Sequence, residues 1–264
     1  MKQEILDIEK HFTIDALRAT YDDYKSSKTD RFTGKVNVPM GADGVTWYAF
    51  EKNLEVNLAN ISRRVLNGSY HFYPMREFKI PKPDGGMRTL SIACIRDAIV
   101  QRGLYFALQE SSEEIFKTLD DVSFAYRKGQ SGGTAALHIW DSFKQGFLWA
   151  FDADIKKFFD PLDHERLMGL VAEWVGEDSL ARKLIWRFIR ISYVPADSYP
   201  KQKNYFMHHK PKCCARPAGV PQGGVLSGML ANLYLHEFDR WVVKELSSQC
   251  ELRYYRYADD FVIL

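Results

Sequence analysis

The chain has 264 residues, 46% of them hydrophobic and 14% aromatic, with 36 Lys and Arg against 34 Asp and Glu. That content suffices for one large core or two linked subdomains and excludes disorder, while a formal net charge of +2 is too small to announce a polyanionic partner by itself. Four cysteines, two of them adjacent at Cys213 and Cys214, build no disulfide framework. With no signal peptide and no apolar run of about 18 residues, a cytoplasmic location without membrane contact is expected.

Residues 1–40 read as an N-terminal extension of mixed helix and polar linker, most flexible at 25–30. Phe50, Leu54, Leu58, Ile61 and Val65 follow helical spacing, and Asn67-Gly68 ends that helix. Segments 78–80 and 87–92 flank Pro83-Asp84-Gly85-Gly86, which predicts a β-hairpin. Helices are predicted at 97–109, from about Ser131, at 164–175 behind an Asp163 cap, at 179–191 and at 225–246. The apolar run 147–151 predicts a strand that leads into Asp152 and Asp154. Strands mixed with helices, with acids at strand ends, indicate an α+β fold.

The last ten residues carry the strongest chemical signal. Asp259 and Asp260 stand between the aromatic run ending at Tyr257 and the apolar run Phe261-Val262-Ile263-Leu264, the pattern of a hairpin with carboxylates at its tip. Magnesium takes oxygen ligands, usually one or two carboxylates plus substrate phosphates. Two adjacent strands could bring Asp154 and Asp259 around a pair of such ions, roughly 3.5–4 Å apart, for an in-line phosphoryl displacement. Asp160 and Asp163 read instead as turn and cap residues.

A basic, aromatic-studded stretch runs from 181 to 216. Nine Lys and Arg, among them Arg182, Lys183, Lys201 and Lys203, face one acid, Asp197, with Tyr193, Tyr199, Tyr205 and Phe206 interleaved. Such a segment neutralises phosphates and stacks on bases, so nucleic-acid contact is expected there. His208, His209, Cys213 and Cys214 read as part of this basic loop, since neighbouring ligands rarely share one tetrahedral zinc.

Three tracts now carry a resemblance. Asp154-Ile155-Lys156-Lys157-Phe158-Phe159-Asp160, Gly219-Val220-Pro221-Gln222-Gly223-Gly224-Val225-Leu226-Ser227 and Tyr257-Ala258-Asp259-Asp260 occur in that order. They resemble motifs A, B and C of a reverse transcriptase, most similar to the bacterial group II intron-like branch. Ile80-Pro81-Lys82-Pro83-Asp84-Gly85-Gly86-Met87-Arg88-Thr89-Leu90 resembles the fingers hairpin of that branch, and Ser123-Phe124-Ala125-Tyr126-Arg127-Lys128-Gly129-Gln130-Ser131 its next block. The resemblance covers roughly residues 41–264.

It implies right-hand polymerase subdomains, with fingers at about 41–145 and 165–218 and palm at about 146–164 and 219–264. It also implies an RNA-directed DNA polymerase working with two magnesium ions, or manganese in their place, on an RNA template, a DNA or RNA primer and deoxynucleotides. Asp154, Asp259 and Asp260 would be its catalytic carboxylates and, with the peptide oxygen of Ile155, its metal ligands. Lys82 and Arg88 would reach the triphosphate, Gln222 and Gly223 the nucleotide and template, and Phe159 would pack beneath the sugar and exclude a 2′-hydroxyl. An RNA-copying RNA polymerase is expected to carry a second Asp at that place. Arg127 and Lys128, before the helix start at 129–134, read as template-backbone contacts.

Two departures shape the expectations. Residues 191–216 form a longer, more basic insert than the family pattern. The chain also ends four residues after Asp260, short of the remaining palm motifs, the primer grip and the thumb, so the 264 residues alone are expected to bind RNA weakly and extend primers poorly. The alternative reading is an RNA-binding, maturase-like or defence-associated protein whose polymerase site is secondary or inactive.

Overall fold

The computed structural model describes residues 6–82, 85–119, 121–202 and 204–264. In chain order its elements are α1 (Ile14–Ser27), α2 (Trp47–Lys52), α3 (Leu54–Leu66), β1 (Met75–Pro81), β2 (Met87–Ile92), α4 (Ile95–Phe116), α5 (Gly132–Lys144), β3 (Phe151–Asp154), α6 (His164–Val175), α7 (Leu180–Ile189), β4 (Tyr193–Val194), α8 (Tyr205–His208), α9 (Ser227–Trp241), β5 (Tyr254–Tyr257) and β6 (Asp260–Ile263). Past Trp241 the last helix continues through Val242–Leu246 as a wider π turn. Among the described residues no helix is long and apolar enough to cross a membrane.

The chain forms two compact units. One comprises Met1–Ala107 and Leu162–Leu226; the other comprises Leu108–Pro161 and Ser227–Leu264. In the first unit α3 lays the stripe Leu58, Ile61 and Val65 into the core, and α1 packs on it with Leu17 and Tyr21. Helices α6 and α7 bury Leu167, Val171 and Val175 with Leu184, Ile185 and Phe188. Each such side chain contributes about 1.5–3 kcal/mol on leaving water. The caps are the ones the residue types demand: Asp163 accepts from the Arg166 N–H at 2.7 Å, and Ser179 accepts from the Arg182 N–H at 3.1 Å.

The sheet of this unit has the order β2-β1-β4. Strands β1 and β2 are antiparallel from Arg76↔Ile92 to Pro81↔Met87, and β4 joins β1 in parallel at Met75↔Tyr193. The second unit holds a sheet of order β3-β6-β5, antiparallel throughout. Its core gathers Phe124, Ala135, Tyr255 and Leu264, with Ile139, Phe147 and Val262 packed against them.

Two sequence expectations are adjusted. Lys25, Ser26 and Ser27 form the last turn of α1, where Lys25 pairs with Glu51 at 2.8 Å, so 25–30 is not a free linker. The strand expected at 147–151 begins only at Phe151 and runs through Asp154, because pairing with β6 defines it; Trp149 is 90% exposed, a solvated lead-in. The grouping of residues into the two compact units follows contacts between distant parts of the chain. Residues 108–145 group with the acid-bearing sheet, since the Phe124 N–H donates to the Arg256 carbonyl and α5 packs on β5. Residues 219–226 group with the β1–β2 hairpin, since the Ser91 N–H donates to the Gln222 carbonyl at 2.7 Å.

Candidate active site

The β3–β6 register places Asp154 directly across from Asp260, and Asp152 across from Val262. Residues directly opposite in an antiparallel pair share a face with Cβ atoms about 4.5–5.5 Å apart. Asp152 and Asp154 share one face of β3 by the two-residue period, so Asp260 joins both. Asp259 sits in the turn between β5 and β6, and its carbonyl accepts the Ile155 N–H at 3.2 Å. Like charges so placed repel. Partial burial, followed by the neighbouring Asp154, Asp259 and Asp152, raises the Asp260 carboxyl from its ordinary value.

A buried guanidinium holds this turn, and the sequence reading missed it. Arg256 is 1% exposed, and each of its five N–H donors has an acceptor. Nε and Nη2 donate to the two carboxylate oxygens of Asp239 at 2.7 and 2.5 Å. Nη1 donates to Asn232 Oδ1 at 3.0 Å and to the Ala258 carbonyl at 2.8 Å, and Nη2 also donates to Ser123 Oγ at 2.9 Å. Ala258 adopts φ 60°, a conformation that L-residues rarely occupy, so its held carbonyl stabilises an otherwise costly turn. Tyr254 Oη adds a bond to Asp239 at 2.7 Å. The signal available in the sequence was a charge inside a strand, between Tyr255 and Tyr257, which demands a partner.

Beyond β3 the chain turns through Lys157 at φ 54°, closed by the Phe158 N–H on the Ile155 carbonyl at 3.2 Å. Phe158 is buried against Tyr234, while Phe159 is only half-buried. The Phe159 ring meets Phe158 edge-on at 5.7 Å and Tyr126 edge-on at 6.5 Å.

In the other unit, Lys82 and Arg88 stand exposed on the hairpin. Arg88 lies across from Ile80, and the Lys82 N–H extends the ladder to the Gly86 carbonyl at 2.8 Å, so the alternation puts both cations on one face. Gln222 and Gly223 lie against β2. Gly223 has φ 95°, and a Cβ built there would stand 3.1 Å from the Ser91 carbonyl oxygen, so a side chain would strain this seat.

The family model described as reverse transcriptase (RNA-dependent DNA polymerase) matches residues 80–264. The chain belongs to this family. Among curated relatives, Protein YkfC of Escherichia coli (strain K12) is 28% identical over 85% of the chain. The Group II intron-encoded protein LtrA of Lactococcus lactis subsp. cremoris is 32% identical over 72% of it. The chain spans 62% of the first relative's length and 29% of the second's. Among solved structures, a chain of a partial Cas6-RT-Cas1–Cas2 complex superposes with TM-score 0.53 at 20% identity. The match covers 99% of this chain and 38% of that one, a likeness of fold. The fold is thus the α+β right-hand polymerase type expected from the sequence.

The residues expected to contact nucleic acid differ in burial and pairing. Arg127 is buried: its guanidinium pairs with Glu113 at 3.2 Å, lies over the Phe116 ring and donates to the Ser123 carbonyl, so its side chain is engaged within the fold, not exposed as a free cation. Lys128 beside it is exposed. Arg182 is half-buried and pairs with Glu177 at 2.9 Å, whereas Lys183 and Lys201 are exposed; Lys203 lies outside the described residues. Arg187 donates to the Gly68 and Tyr70 carbonyls and Arg216 lies over the Tyr193 ring, so part of the basic stretch holds its own unit together.

Among the described residues no group of three or more His, Cys, Asp or Glu converges as a ready-made metal cage. The donors nonetheless suit magnesium, which keeps open positions for substrate oxygens. Asp154, Asp259 and Asp260 supply hard oxygens in mutual repulsion that a cation would relieve, and the Ile155 carbonyl is a further oxygen beside them.

Proposed function

We propose that the chain carries the nucleotide-adding core of an RNA-directed DNA polymerase, which extends a DNA or RNA primer with deoxynucleotides on an RNA template. The observation that carries the reading is the β3–β6 pairing, which sets Asp154 opposite Asp260 with Asp259 in the adjoining turn. In this reading the primer 3′-hydroxyl attacks the α-phosphorus of the nucleotide, a new phosphodiester bond forms, and pyrophosphate leaves. Divalent ions, when bound, stabilise the attacking and leaving oxygens; Asp154, Asp259, Asp260 and the Ile155 carbonyl would hold them. Lys82 and Arg88 offset the negative charge that develops on the triphosphate. Gln222 hydrogen-bonds near the nucleotide and template, and Phe159 lies beneath the sugar. Lys128, Lys183 and Lys201 offer exposed cations to nucleic-acid phosphates.

The test uses Asp154→Asn and Asp259→Asn in the natural protein, with primer extension and template RNA affinity measured on the same samples. Each change removes a carboxylate charge at constant size, so extension should fall by orders of magnitude while RNA affinity stays within a few-fold. Chelation should abolish wild-type extension, and added magnesium or manganese should restore it. Near-normal extension by either variant removes that residue from the mechanism. RNA binding by a wild-type protein that extends no primer returns the chain to the maturase-like alternative.

A further inference from the structure

Tyr126 is the residue that the catalytic reading leaves unused and the fold treats as special. It adopts φ 58°, which a bulky aromatic holds only where its surroundings impose it. The impositions stand on both sides of it: Asn232 Nδ2 donates to the Ala125 carbonyl at 2.6 Å, and the next residue, Arg127, is buried in its pair with Glu113. The ring is nevertheless 51% exposed. One of its faces lies on Gly228 in the first turn of α9, so closely that a Cβ built on that glycine would fall onto the ring carbons. The ring also meets Phe159 at 6.5 Å with an interplanar angle of 82°. A side chain forced into a rare backbone conformation, braced on a glycine and abutting Phe159, fixes where the Phe159 ring can stand.

We propose that Tyr126, braced on Gly228, is a positioning residue that holds the Phe159 ring against the sugar and thereby contributes to the exclusion of ribonucleotides. The inference rests on the reading of Phe159 as the sugar-excluding residue. Phe159 is gripped on one side by Phe158, itself buried against Tyr234. Tyr126 is the second contact. Removing it leaves Phe159 free to swing away from Phe158 and make room for a 2′-hydroxyl.

Single-nucleotide incorporation by the natural protein, with matched deoxy- and ribonucleotides, gives kcat/KM for each substrate and hence their ratio. Phe159→Ala should lower the ratio of deoxy- to ribonucleotide use. Tyr126→Ala should lower it in the same direction by roughly three- to tenfold, the range in which one aromatic edge contact counts, with the change mainly in ribonucleotide KM. Tyr126→Phe should restore the wild-type ratio, because the ring and its edge remain. Gly228→Ala, which displaces the ring without touching Phe159, should mimic Tyr126→Ala. The double variant Tyr126→Ala/Phe159→Ala should be no worse than Phe159→Ala alone. Tyr126→Leu carries the test if Tyr126→Ala does not fold. A ratio unmoved by Tyr126→Ala or Tyr126→Leu, with Phe159→Ala shifting it, overturns the inference and leaves the reading of Phe159 standing. A ratio unmoved by Phe159→Ala overturns both.

Discussion

The buried Arg256–Asp239 pair allows stability and positioning to be separated by experiment. Both side chains are 1% exposed, so Arg256→Ala strands a desolvated carboxylate that, among the described residues, keeps the Tyr254 hydroxyl as its side-chain donor. Breaking a buried pair from one side costs about 3–5 kcal/mol, a large share of the roughly 5–15 kcal/mol that holds a domain together. The combined variant Arg256→Met/Asp239→Leu/Tyr254→Phe removes both charges and the hydroxyl. Apolar replacement of a whole buried pair is often neutral or stabilising, so most of that loss should return in urea unfolding. Extension should not return with it. The Ala258 carbonyl has lost the donor that holds a φ of 60°, Asp259 follows it in the chain, and misplacement on the order of 1 Å costs about a hundredfold in rate. A combined variant with wild-type stability and wild-type extension would refute the argument and reduce the network to scaffolding.

Two further outcomes follow from other parts of the chain. Lys82→Ala and Arg88→Ala should each raise the nucleotide KM, about ten- to hundredfold if each loses one charge-assisted bond of roughly 1.5–3 kcal/mol, with RNA affinity nearly unchanged; an unaltered KM in both would detach the hairpin from the triphosphate. Asp97, buried while accepting from the Tyr70 hydroxyl at 2.6 Å and the Tyr73 N–H at 2.7 Å, has its carboxyl pushed up by burial to about 6 from an ordinary 3.8. A folded value above the unfolded one gives stability that is fully present below the unfolded value and lost as pH rises through the folded one, here about 3 kcal/mol. Asp97→Asn abolishes that slope, so the urea-stability difference between wild type and variant should change between about pH 4 and pH 7; a flat difference refutes the assignment.

What could be read from the sequence follows how local the determining interaction is. The stripe Leu58, Ile61 and Val65, the Asp163 cap and the turn glycine Gly85 are set within a few residues, and each appears where the pattern puts it. The start of β3 was misplaced because the apolar run before it looked like a strand, whereas its bounds come from a register with β6 that lies far along the chain. Arg127 and Arg182 are legible as charges, whereas their pairing with Glu113 and Glu177 is not. Glu113 lies 14 residues from Arg127, and Glu177 five residues from Arg182. The Arg256 network joins Ser123, Asn232, Asp239 and Ala258, a set that no spacing rule gathers.

The pairing of β3 with β6 also bears on how the protein is made. Asp260 follows Asp154 by 106 residues. At about 5–20 residues per second of synthesis, β3 leaves the ribosome roughly 5–20 seconds before the strand it pairs with. During that interval its backbone is an open edge that begins at Phe151 and follows Leu148 and Trp149, all three of which are exposed even in the finished fold. The other unit contains no residue beyond Leu226, so all of it is synthesised before β6. Of the two units, the acid-bearing one is therefore completed after the other, and slower translation between Asp154 and Asp260 would prolong the exposure of that edge.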